Sequence, residues 1–235
     1  MSMRFDLPSG ATLRVVTRRG HVDVTAEDRE DVAVETTGAL EAKTAVDGKT
    51  LILDGRRSSA RLEVRCPTGT SVSIGTISGH VSLSGVFGSV GVATTSGSVR
   101  VDRATRVDLR SVSGDLSVVS CDDRCHLLTA SGRIIAEATG SADVCSASGA
   151  VRLGRAAGPV SICTVSGQVE LGASGKDGVA VRTVSGAIKV KVPQGRQPSA
   201  HLRSVSGRVR CDCPEGTDFD LNAASFSGAI EVESP

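Results

Sequence analysis

The densest gathering of metal-ligand residue types is Cys121-Asp122-Asp123-Arg124-Cys125-His126. Thiols at this spacing could supply one half of a zinc site, which needs a second ligand pair to close. Cys125, however, falls on a position that is apolar in every equivalent segment of the chain, so it reads as a core cysteine. Cys211-x-Cys213 meets the same objection, because Cys211 also falls on a core position. No metal and no cofactor is expected. Cys145 and Cys163 differ, since both fall on an outward position of neighbouring repeats. Their Cα atoms should stand one strand spacing apart, about 4.8 Å, within the range a disulfide spans. They are a candidate redox pair, set against the plainer reading of two partly covered thiols in a reducing compartment. Nucleophilic catalysis needs a base beside an activated Ser or Cys. The histidines are His21, His80, His126 and His201, and the two on a shared outward position, His126 and His201, lie four repeats apart. No catalytic residue is expected, and the chain reads as a non-enzyme.

The chemistry is sparse because the residues serve a repeat. Ser-Gly recurs at Gly79, Gly97, Gly114, Gly132, Gly149, Gly167, Gly186, Gly207 and Gly228, at spacings of 17 to 21 residues. Four columns aligned on these glycines are apolar in every repeat: seven before, five before, two after and four after. The repeat of Gly167 gives Val160, Ile162, Val169 and Leu171. Positions between the columns are mostly polar. This is period-two alternation on both sides of a corner, so each repeat reads as two short strands, a Ser-Gly corner and a variable turn. A unit this short cannot close its own core, and stacking solves the problem by setting equivalent side chains over one another. The expected fold is all-β: a single-stranded β-solenoid, right-handed by the crossover rule, with about nine regular coils.

Composition agrees. The 235 residues include four Phe, no Trp and no Tyr, which suits a thin core of small side chains. Lys and Arg total 27 against 26 Asp and Glu. Neither a basic field nor stacking rings are present for nucleic acid. Basic residues on outward columns, among them Arg110, Arg152, Arg182, Lys189, Arg203 and Arg210, are interspersed with acids and read as a solvated face. No apolar run approaches the ~20 residues of a membrane span. The seven cysteines and the polar first twenty residues point to a cytoplasmic location, with envelope association through a partner as the alternative.

The corner glycines are expected to adopt φ > 0. The hydroxyl residues three before each glycine, such as Thr94, Ser111 and Thr164, are expected to satisfy corner backbone groups and one another. Two before each glycine runs Ile77, Thr95, Val112, Ala130, Ala147, Val165, Val184, Val205 and Phe226. Strict alternation would turn this column outward, where Val112, Val165, Val184, Val205 and Phe226 would form a partner surface. A break in alternation at the corner would bury it, and burial is the expectation taken here.

Residues 1–70 read as a degenerate first coil around Gly20 followed by a β cap, and residues 71–235 as the regular solenoid, continuous with it. In the first part, strand-like runs at Val32–Thr36, Thr50–Asp54 and Ala60–Cys66 are separated by the turn signals Asp47-Gly48 and Asp54-Gly55. At the other end Phe219 and Phe226 are expected to plug the last coil.

The Thr-Val-Ser-Gly-x-Val/Ile units at Thr164–Val169 and Thr183–Ile188, with the lead-in Leu62-Glu-Val-Arg-Cys-Pro-Thr-Gly69, resemble the bacterial putative-adhesin family of β-strand-repeat proteins, a domain of unknown function. The resemblance covers most of the chain. It implies the solenoid fold and a surface-binding role, and it brings no catalytic residues. The functional expectation is a structural or protein-interaction scaffold that self-associates or binds a protein partner. The alternative is an adhesin-like module for glycan, peptide or envelope components.

Overall fold

The structure is a computed structural model that describes residues 2–6, 10–44, 49–55, 61–173 and 177–234. Every regular element among them is a β-strand, and the fold is an all-β solenoid. The chain divides into two compact units, Met1–Ser120 and Cys121–Pro235.

In the first unit, Ser71–Ser78 bends at Gly79 into Val81–Ser96, which bends at Gly97 into Val99–Ser113. The strands pair parallel and in register: Val72 with Val90, Ile74 with Val92, Val90 with Val107, Val92 with Leu109. In-register stacking is why the apolar columns are unbroken, since each inward side chain must meet its equivalent one coil away. All of these residues are buried.

The strands are longer than alternation alone suggested. Val81–Ser96 runs through the segment expected to be a variable turn. That segment is a third side of the coil, and it carries a further inward column beyond the four apolar ones: Phe87 and Ala104 in the first unit, Cys121, Thr139 and Ala156 in the second, all at most 5% exposed. Phe87 pairs with Ala104, and Thr139 with Ala156. An irregularity between Val101 and Arg103 absorbs the one-residue difference between an 18- and a 17-residue repeat.

The coils do not stack in sequence order. Thr12–Thr17 and Val22–Glu27 form the degenerate coil around Gly20. That coil lies between two others, the strands Thr50–Gly55 with Leu62–Pro67 on one side and Ser71–Ser78 with Val81–Ser96 on the other. Two of the three runs expected as a cap therefore build a full coil. Its outer edge is covered by antiparallel strands: Asp31–Thr36 on Leu62–Pro67, Ser2–Asp6 on Asp31–Thr36, and Glu41–Thr44 on Thr50–Gly55. Covering leaves Leu51, Leu53, Leu62 and Val64 at most 2% exposed. The turn signal Asp47-Gly48 lies outside the described residues.

The second unit repeats the exchange. Asp220–Ser227 and Ile230–Glu233 insert between Val179–Ser185 with Ile188–Lys191 and Ser199–Ser204 with Val209–Asp212. The coil of Gly207 is therefore the outermost, although the coil of Gly228 follows it in sequence. Two expectations fail for this reason. Phe226 does not plug an end: its coil is interior, and its ring is 61% exposed on an outward column. Cys211 is exposed although it occupies a core column, because no further coil covers it. Phe219 is buried.

The corner is built on proximity more than on φ. A Cβ on Gly167 would stand 1.9 Å from the carbonyl oxygen of Gly149, and one on Gly97 1.9 Å from that of Gly79. Gly167 has φ 153°, but Gly186 and Gly228 are not in the left-handed region and would clash as closely, at 1.9 and 2.0 Å. Only a residue without a side chain lets corner backbones stack this tightly.

The hydroxyl column does not behave as expected. Thr94, Ser111, Ser146, Thr164, Thr183 and Ser225 are buried, and their hydroxyls have no hydrogen-bond partner among the described residues. Parallel coils set equivalent atoms about 4.8 Å apart, beyond hydrogen-bond reach. Exceptions need a local shift: Thr17 donates to Thr76 at 3.2 Å, Thr129 to the Ser131 carbonyl at 3.1 Å, and Ser204 to the Gly228 carbonyl at 3.0 Å. Thr164 is 1% exposed. Thr164→Val, of the same shape but apolar, is expected to stabilise the protein by about 1 kcal/mol, read as a higher urea midpoint at unchanged slope. A lower midpoint would show that the hydroxyl makes a bond that outweighs its desolvation.

Candidate interaction surface

Beyond each buried hydroxyl the next residue points outward, because alternation holds as far as this column and breaks only at the Ser that follows, which is exposed as well. The whole column two before the glycine is solvent-facing, which overturns the expectation of burial. In the first unit it presents Ile77, Thr95 and Val112. In the second it presents Ala130, Ala147, Val165, Val184, Phe226 and Val205, in stacking order. Val165 and Val184 flank the paired residues Thr164 and Thr183, while Val184 and Phe226 flank Thr183 and Ser225. Val165, Val184, Phe226 and Val205 thus stand side by side on four consecutive coils, 53%, 51%, 61% and 74% exposed. A run of large apolar side chains at one strand spacing is a continuous apolar stripe, the feature that marks interaction sites on soluble proteins.

The charged outward positions close on each other. Glu170 accepts from Arg152 at 2.9 Å and from Lys191 at 3.3 Å, and the two cations hold its carboxyl below the usual carboxylate range. Lys189 pairs with Glu233 at 3.1 Å, Arg210 with Asp212 at 2.6 Å and Arg110 with Asp108 at 3.0 Å. These are short-range pairs on solvated strands, each worth little to stability.

The candidate chemical groups separate. Cys121 and Cys125 both point into the core, and Cys121 donates to the Arg124 carbonyl at 3.1 Å. Their mutual hydrogen bond and burial push the Cys125 thiol well above the ordinary range. Asp122 and Asp123 point out to solvent. Among the described residues no group of three or more His, Cys, Asp or Glu could hold a metal ion. Burial pushes the Cys66 thiol up to about 11. Cys145 and Cys163 are direct register partners on adjacent coils, both as free thiols, and Cys163 is the more exposed. Burial, then the neighbouring Cys163, raises the Cys145 thiol. No helix among the described residues is long and apolar enough to cross a membrane.

No curated protein matches the chain. It is similar to solved structures over nearly its full length at low identity. A "putative adhesin" from Bacteroides fragilis is 12% identical, with 100% of this chain and 96% of that one covered and a TM-score of 0.49. A "putative cell adhesion protein" from Clostridium sporogenes is 10% identical, with 100% and 99% covered and a TM-score of 0.31. A "putative adhesin" from Parabacteroides distasonis is 10% identical, with 98% and 96% covered and a TM-score of 0.44. The profile of the Toastrack DUF4097 family matches residues 12–234, spanning the degenerate coil, the covering strands Asp31–Thr36 and Glu41–Thr44 and every Ser-Gly repeat. The chain belongs to the Toastrack DUF4097 family.

Proposed function

We propose that the chain is a non-catalytic scaffold that binds a protein partner along its outward apolar stripe. The observation that carries this reading is the alignment of Val165, Val184, Phe226 and Val205 on four consecutive coils, each more than half exposed. A stack of parallel strands fixes the spacing of these side chains before any partner arrives, so little ordering entropy is lost on binding. The corner glycines beneath the stripe hold it in place by letting neighbouring coils stack closely, and the corner contributes no chemistry of its own.

The test replaces two neighbouring stripe residues by an opposite-charge pair, Val165→Lys with Val184→Glu. Both sites are surface positions, so the melting temperature should stay close to wild type. Proximity cross-linking in cells followed by mass spectrometry should show a defined partner with the wild type, and direct binding of that purified partner should weaken at least tenfold with the double variant. Saturable binding to a glycan array, unchanged in the double variant, would instead establish the adhesin-like carbohydrate reading and remove the stripe from the function.

A further inference from the structure

The outermost coil of the second unit is open. Val209 is 43% exposed, Cys211 is exposed and Leu202 is half-buried, although all three occupy columns that are sealed in interior coils. The equivalent edge of the first unit is covered by antiparallel strands and its core residues are closed to solvent. The open coil also leaves backbone groups unpaired. The Ile230 N–H donates to the Arg208 carbonyl at 2.9 Å, which turns the amides of Arg208, Arg210 and Asp212 toward the strand Ile230–Glu233. By alternation the N–H and C=O groups of Val209 and Cys211 face away from it, and no strand pairs with them among the described residues. A bare strand edge of this kind templates the addition of another strand.

Charge selects the strand that fits. Around Cys211 the order is Arg210-Cys211-Asp212. An antiparallel copy of the same strand can be centred on any of the four residues Val209–Asp212, and centring on Val209 opposes Arg208 to Arg210, a like-charged pair. Centring on Arg210 opposes Arg210 to itself, and centring on Asp212 opposes Asp212 to itself, and like charges directly opposite are destabilising. Centring on Cys211 sets Arg210 against Asp212 twice and lets the outward-facing amides of Cys211 exchange both hydrogen bonds with their equivalents. It also brings the uncovered Val209 of each copy beside the Cys211–Cys213 segment of the other. We infer that Val209–Asp212 is the contact strand of a twofold dimer of this chain, paired antiparallel about Cys211. The interface is isologous, so it closes at two copies. This inference rests on the scaffold reading but uses a different face, so either can fail alone.

The experiment is size-exclusion chromatography with light scattering on the full chain, with reductant present, across a wide concentration range. Wild type is expected at twice the monomer mass. Arg210→Asp and Asp212→Arg each place like charges in opposition and should raise the dimer dissociation constant at least tenfold. The combined Arg210→Asp/Asp212→Arg exchange restores the alternating pattern and should return the constant to near wild type. Circular dichroism melting checks that all three variants fold, and the stripe variant Val165→Lys/Val184→Glu should remain dimeric. A wild type that stays monomeric up to about 100 µM, single exchanges that leave the dimer intact, or a double exchange no tighter than the singles would each overturn the proposal.

Discussion

Gly167→Ala is expected to lower the unfolding free energy by about 4 kcal/mol, from overpacking against a backbone and from strained φ together. The added methyl carbon would sit 1.9 Å from the Gly149 carbonyl oxygen, a fixed atom of the stacked corner that cannot rotate away as a flexible side chain could. The coil spacing would have to widen at that corner, and the parallel ladder on both flanking strands would open with it. Gly186→Ala separates the two causes. It meets the Gly167 carbonyl oxygen at 1.9 Å without a left-handed φ, so a loss nearly as large identifies the clash with the neighbouring corner as the main cause. Gly91→Ala is the control: nothing lies within 4 Å of its Cβ position, and a neutral change or a gain of about 0.5 kcal/mol is expected. Urea unfolding of the three variants checks this. Equal midpoints for Gly167→Ala and Gly91→Ala would refute the account of the corner.

Phe87→Ala is expected to cost about 3–5 kcal/mol, the usual range for emptying a buried aromatic site. Phe87 is 1% exposed and is among the largest fully buried side chains of the described core. Its neighbour in the column is Ala104, which is too small to move into the space. Phe87→Leu keeps most of the volume and should cost far less. A loss below about 1 kcal/mol for Phe87→Ala, measured by thermal or urea unfolding, would mean that the third side of the coil is not sealed.

These two residues mark the boundary of what was legible in the sequence. The corner glycines and four of the inward columns were plain, because parallel in-register stacking repeats the same residue class at the same offset. The reason for the glycines was only half legible: φ > 0 belongs to one residue and can be guessed from it, whereas contact with the next corner belongs to two coils. The column on the third side was hidden because its occupants, Phe87, Ala104, Cys121, Thr139 and Ala156, share neither size nor polarity, and the spacing shifts by one residue between repeats. Apolar side chains at Val165, Val184 and Phe226 suggested burial, yet alternation governed their direction. Residue type gave the wrong answer there, and backbone period gave the right one. Coil order was not legible at all, because repeats built on one template are interchangeable as partners. The exposure of Cys211 and Val209, and with it the open edge, followed from that order alone.

The exchange of neighbours in each unit changes how such a ladder can come apart. A stack whose outer rungs are free tails can fray residue by residue, and each released tail gains full conformational freedom. In the first unit one margin rung is Thr50–Gly55 with Leu62–Pro67, beneath its antiparallel cover, and in the second it is Ser199–Ser204 with Val209–Asp212; strands precede and follow each in sequence. A margin rung that lets go becomes a closed loop, and a tethered loop gains less entropy than a tail of equal length. The near-terminal coils Thr12–Glu27 and Asp220–Glu233 are each clamped between two rungs and cannot leave without parting both, so of the N-terminal segment only the short cap strand Ser2–Asp6, paired on one side to Asp31–Thr36, can peel as a tail. Within each unit, loss of a coil is thereby made more cooperative, in an architecture whose contacts are otherwise local enough to yield one rung at a time.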